Sequence, residues 1–261
     1  MIDALKQTLS QLRKTKPLVL CLTNHVTMDL MANALLCLGA APIMSEDARE
    51  LEELVNICHV IYLNIGTLDK PFIERASLAA ELAQKYHKPL ILDPVGAGAS
   101  KIRTETSRTL VPYTDIIRGN ASEIMAITDT VHATLGVEAA HCVSDAAGSA
   151  VLLSQTNACT VVISGAEDFV TNGREETHIP FGSSLMPLVT GMGCTLTAVI
   201  SAFLAIVPDA FLAATQATTY FGMCGQLAAL KTKNPGTFRA LFLDELYLCD
   251  LDAMKSLSHV A

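Results

Sequence analysis

Six short runs of continuously apolar residues recur along this chain, each leading into a stretch with helical spacing. That alternation restricts the fold more than any other feature. The runs are 17–23 (PLVLCLT), 41–45 (APIMS), 60–65 (VIYLNI), 89–93 (PLILD), 115–119 (DIIRG) and 159–165 (CTVVISG). A strand apolar at every position, rather than at alternate ones, has to be covered on both faces. The stretches between them, such as 28–40 (MDLMANALLCLGA) and 46–58 (EDARELEELVNIC), read as the covering helices. Repeated β-then-α order selects right-handed crossovers and a mostly parallel sheet. The expected architecture is therefore a three-layer α/β/α fold around a mostly parallel central sheet. A TNG turn signal inside DFVTNGREETHIP (168–180) adds a hairpin, and from 190 onward the spacing is helical only.

With 261 residues, 51% of them apolar, there is material for one large core, and no linker or repeat interrupts it; a single domain over 1–261 is expected. The net charge of −8, with no basic stripe, speaks against nucleic acid as a partner. Cys21, Cys37, Cys58, Cys142, Cys159, Cys194, Cys224 and Cys249 are scattered without a CxxC pair and read as reduced, mostly buried thiols. The N-terminal MIDALKQTLSQLRKTKP is an amphipathic helix pattern without the apolar core of a secretory signal, so a cytoplasmic location is expected. The run 194–207 is too short to span a bilayer. The charge-free stretch 210–230 carries Gln216, Gln226 and several threonines, so both read as buried helices and no membrane contact is expected.

In open parallel sheets ligands bind at the carboxyl ends of the strands. Polar residues gather just there: Thr23 and Asn24, Met44 and Ser45, Asn64 and Gly66, Asp93 with Gly96 and Gly98, Arg118 with Asn120 and Glu123, and Ser164. In LILDPVGAGAS (90–100), Asp93 either holds water on Mg²⁺ beside a glycine turn open to phosphate, or simply caps a strand end. In TDIIRGNASEIMAI (114–127), Arg118 suits a phosphate and Glu123 a metal, while Asn120 or Ser122 with Glu123 equally makes a helix capping box. In VTGMGCTLTAVISAFLAIV (189–207), Gly191 and Gly193 precede an apolar helix, whose unpaired N–H groups form an anion site. Cys194 falls in the first turn, where a thiol pKa is expected to drop; nucleophile, general base and plain core residue all stay open for it. His25 and Asp29 lack a third ligand and define no metal site. Neither GxGxxG nor GxxxxGK[ST] occurs, which removes the main support for a dinucleotide-binding or P-loop reading.

Taken together, CLTNHVTMDLMANALLCLGAAPIMS, ILDPVGAGAS, IIRGNASEI, VVISGAEDFVTNG and VTGMGCTLTAVISAFLA resemble the hydroxyethylthiazole kinase family, in the family's order and over nearly the whole chain. The resemblance implies a ribokinase-like fold and phosphorylation of the alcohol of 4-methyl-5-(2-hydroxyethyl)thiazole with ATP and Mg²⁺, a salvage step towards thiamine diphosphate. It implies a homotrimer with sites between subunits. By position it assigns the thiazole contact to Met44, Asn24 and Gly191, and nucleotide contacts to Arg118 and Ser164. Asp93 and Glu123 would serve Mg²⁺ and phosphate. Gly191 and Gly193 would form the anion hole, and Cys194 stands where most ribokinase-like kinases carry an aspartate base. The turn reads GMGC where GTGC is usual, and Ser164 replaces a more common threonine. The rival readings are another small-alcohol kinase of that superfamily, such as a hydroxymethylpyrimidine kinase, and a non-catalytic thiazole or nucleotide sensor.

Overall fold

A computed structural model describes residues 2–128 and 143–257; of the cysteines, Cys142 lies outside the described residues. One eight-stranded sheet runs in the order β2-β1-β3-β4-β5-β6-β7-β8. Its parallel strands are β1 (Leu18–Leu22), β2 (Ala41–Met44), β3 (Val60–Asn64), β4 (Leu90–Asp93), β5 (Ile116–Asn120) and β6 (Thr160–Ser164). The antiparallel hairpin β7 (Asp168–Thr171) and β8 (Glu176–Ile179) closes one edge, joined through the TNG turn. All six apolar runs are strands, and the expected hairpin is present.

Alternate strand residues feed two separate cores. Val19, Cys21, Val60 and Tyr62 point into one, and Leu20, Leu22, Ile61 and Leu63 into the other. The first core is covered by α1 (Ile2–Thr15), α2 (Met28–Leu38), α8 (Met192–Leu204), α9 (Ala210–Lys231), α10 (Pro235–Leu248) and α11 (Leu251–Leu257). The second is covered by α3 (Leu51–Ile57), α4 (Lys70–Tyr86), α5 (Lys101–Leu110), α6 (Ala121–Thr128) and α7 (Val143–Asn157). The result is the three-layer α/β/α arrangement expected. The helix expected over 46–58 is shorter than its spacing suggested. Ser45 and Asp47 spend their hydrogen bonds on the turn, Asp47 accepting from Arg49 N–H at 2.9 Å, and the helix starts only at Leu51. Helix α8 is buried along nearly its whole length, as its uninterrupted apolar sequence requires. No helix among the described residues is long and apolar enough to cross a membrane.

The strand order fixes where a site can form. From β1 the chain moves outward to β2, then crosses back to pair β3 on the other side of β1. The loops after β1 and β3 therefore diverge, one towards α2 and the other towards α4, and open a crevice at their carboxyl ends.

Candidate active site

The crevice between β1 and β3 is lined by amides. Asn24, two residues after β1, and Asn64, the last residue of β3, are both buried. The Asn24 amide donates to Asn64 Oδ1 at 2.9 Å across the crevice. Asp93 ends β4 in register with Asn64 and has no exposed surface. Its Oδ2 accepts from Asn64 Nδ2 and Thr197 Oγ1, both at 2.9 Å, while Oδ1 is buried without a partner. Burial raises the Asp93 pKa, against the pull of the Arg118 guanidinium 3.9 Å away.

Arg118 comes from β5 and is 8% exposed. It donates to the Ser164 hydroxyl at the end of β6, leaves its Nε unpartnered, and presses its guanidinium on the first turn of α8. A Cβ at Gly193 would stand 2.6 Å from Arg118 Nη1. Gly191 is the left-handed residue (φ +94°) that caps α8, and a Cβ there would lie 2.9 Å from Thr27 Cγ2. The two glycines thus do different things: Gly191 lets the loop after β1 close on α8, and Gly193 makes room for the arginine. Met192 N–H donates to Val189 O and Thr195 N–H to Gly191 O. The Gly193 and Cys194 N–H groups find no acceptor among the described residues, so the turn does present free donors.

Cys194 Sγ receives the Asn64 amide at 3.1 Å and the Asn24 amide at 3.4 Å. The sequence expectation of a lowered thiol pKa is not met. Burial raises it, and the nearby Asp93 charge adds to the rise, outweighing the pull of Thr27, Arg118 and Asn64. Glu123 makes the capping box in full: Asn120 Oδ1 accepts from Glu123 N–H at 2.9 Å, and Glu123 Oε2 accepts from Asn120 N–H at 2.8 Å. Its other oxygen accepts the Gly96 N–H at 2.8 Å, which ties the glycine turn after β4 to the end of β5. Burial, then the charge of Asp93, push the Glu123 carboxyl up to about 7. Met44 ends the edge strand β2, half-buried, in register with Cys21 and on the far side of β1 from Asn64.

The fold thus brings Asn24, Asp93, Arg118, Glu123, Ser164, Gly191, Gly193 and Cys194 to one rim, with Met44 at its edge. Three participants carried little signal in the sequence. Tyr62 and Thr197 are hidden in apolar runs, and their hydroxyls lie 3.3 and 2.9 Å from Asp93 Oδ2. Arg103, on the polar helix α5, donates to the Ile65, Val95 and Gly66 carbonyls at 3.0, 2.8 and 3.0 Å. Among the described residues no group of three or more His, Cys, Asp or Glu could hold a metal ion by itself. The bare Asp93 Oδ1 fits a cation whose remaining ligands come from water and phosphate.

Comparison with known proteins gives the family and the fold. The family model described as the hydroxyethylthiazole kinase family matches residues 9–251. The hydroxyethylthiazole kinase of Chlamydia caviae is 45% identical over 257 residues, 98% of each chain. That of Leptospira biflexa is 44% identical over 256 residues, 96% of each chain. The structure of the Pyrococcus horikoshii hydroxyethylthiazole kinase superimposes with a TM-score of 0.87 at 35% identity, covering 94% of this chain and 93% of that one. The pyridoxal kinase of Staphylococcus aureus in complex with pyridoxal, at 17% identity and a TM-score of 0.63 over 80% and 88% of the chains, shares the fold.

Proposed function

From the premise that this chain belongs to the hydroxyethylthiazole kinase family, we propose that it transfers the γ-phosphoryl group of ATP to the hydroxyl of 4-methyl-5-(2-hydroxyethyl)thiazole. The observation that carries the reading is the convergence of Arg118, the free N–H groups of α8 and Cys194 at the β1/β3 crevice. Phosphoryl transfer depends on positioning and charge stabilisation more than on a strong base. Arg118 and Ser164 bind the nucleotide phosphates, and the 193–194 N–H groups take up charge on the transferred group. Cys194 orients the alcohol, with Met44, Asn24 and Gly191 around the thiazole. Mg²⁺ would be held by Asp93 and Glu123 and would neutralise phosphate charge.

The neighbouring subunit of a homotrimer closes the site in this reading, which two exposed apolar residues support. Val26 (69% exposed) follows Asn24, and Leu188 (64%) precedes Gly191, so both segments entering the site carry uncovered apolar surface. The same reading has the chain act as one cytoplasmic domain. A coupled assay over the thiazole alcohol, hydroxymethylpyrimidine and a sugar panel tests the function. ATP-dependent turnover on the thiazole alcohol is expected; preferred turnover on another alcohol, or none, would overturn it. Cys194→Ala should lower kcat while the KM for ATP stays near its original value, and an unchanged kcat would remove Cys194 from the reaction.

A further inference from the structure

The Asn64 side chain has no freedom to turn over. Its Oδ1 accepts the backbone N–H of Gly66 at 2.9 Å, a group that can only donate, so the oxygen must face Gly66. The Nδ2 is thereby turned to the other side, within 2.8 Å of Tyr62 Oη, 2.9 Å of Asp93 Oδ2 and 3.1 Å of Cys194 Sγ. Asn24 is fixed by the same logic. Its Oδ1 accepts the Thr27 backbone N–H at 3.0 Å, and its Nδ2 is left for Asn64 Oδ1 and the sulfur. Two amide donors, each locked by a main-chain N–H, are aimed at one thiol. Gly66 completes the arrangement, because a Cβ there would come within 2.9 Å of Asn24 Cβ and spread the pair.

We infer that Asn64 is a positioning residue for the transfer reaction: with Asn24 it clamps Cys194 Sγ as a hydrogen-bond acceptor, and it acts on turnover only through that sulfur. The inference rests on the proposed reading that Cys194 faces the alcohol. Burial and the neighbouring carboxylate favour an uncharged sulfur, whereas two N–H donors favour negative charge on it, as donors at an oxyanion do. The clamp also keeps the sulfur off the Asp93 carboxylate, because the Asn64 amide stands between them and donates to both.

A double-mutant cycle tests this, with Asn64→Ser and Cys194→Ala alone and combined, reading kcat and both KM values. The expected result is a loss of about tenfold in kcat for Asn64→Ser with the KM values little changed, and no further loss when Cys194 is already alanine. A residue needed only for the shape of the crevice would cost the same factor in both backgrounds, and that additive result overturns the inference while leaving the kinase reading intact. If Cys194→Ala alone leaves kcat unchanged, the role of the sulfur fails, and the clamp with it. Asn64→Asp is run in parallel: it keeps the shape and the acceptor contact to Gly66 but loses the donors. Loss of folding in the serine variant therefore does not end the test. Full kcat in the folded aspartate variant would also overturn the clamp.

Discussion

Glu123 is a carboxylate with two duties that pull in different directions. Its oxygens satisfy the Gly96 and Asn120 N–H groups, which favours the charged form, yet burial and Asp93 favour the neutral one, and the balance puts its pKa near 7. The folded value is above the ordinary carboxylate value. The stability this group contributes is therefore fully present below about pH 4.5 and is lost as pH rises through about 7. Across that window the loss is of order 3 kcal/mol. In protein free of nucleotide and metal, the stability gap between the native chain and Glu123→Gln should shrink as pH rises from 5 to 8, read from thermal midpoints at each pH. A gap that stays constant would show that Glu123 titrates outside this range. Cys194 illustrates how a local rule fails at the same scale. A helix first turn and a nearby cation both favour a thiolate, but here burial, and then the Asp93 charge, outweigh the Arg118 guanidinium and keep the thiol pKa raised.

Among the elements, α5 does more for the site than its polar sequence suggests. Arg103 spans from this helix to the carbonyls after β3 and β4, and so holds together the two turns that carry Asn64 and Asp93. A guanidinium fork can reach both turns at once and a lysine cannot. Arg103→Leu should cost about 2 kcal/mol by stranding carbonyls, a fall of roughly 5 °C in the thermal midpoint. It should lower kcat/KM as well, with Arg103→Lys restoring only part of either; an unchanged midpoint would mean the turns hold without it. This contact was illegible in the sequence because nothing local marks an arginine that will meet carbonyls 37 and 38 positions away. The strands were legible, since six apolar runs leave no other use for themselves. The rim residues were legible too, because a parallel sheet sends the end of every strand to one side. Tyr62 and Thr197 were not, since polar groups inside apolar runs look like core until their partners are known, and the bond that joins Asn24 to Asn64 showed only in the fold. The start of α3 was misread because helical spacing in 46–50 ignores the turn that Ser45 and Asp47 form.

For the whole molecule, the open question of assembly has a direct measurement. The exposed Val26 and Leu188 beside the site fit the proposed homotrimer, so sedimentation should give a species of three times the chain mass. A species of one chain mass at every concentration would remove the neighbour from the site. The chain reversal at β1 and β3 has a mechanical consequence as well. The two strands stay hydrogen-bonded to each other from Val19 to Leu22 and from Val60 to Leu63, while the loops beyond them part company. Between those loops run the Asn24 side chain's bond to Asn64 and a bond from His25 N–H to the Thr67 hydroxyl. A seam sewn by side chains opens at far less cost than one sewn by a strand ladder. Breaking those two bonds would leave every strand pair of the sheet intact.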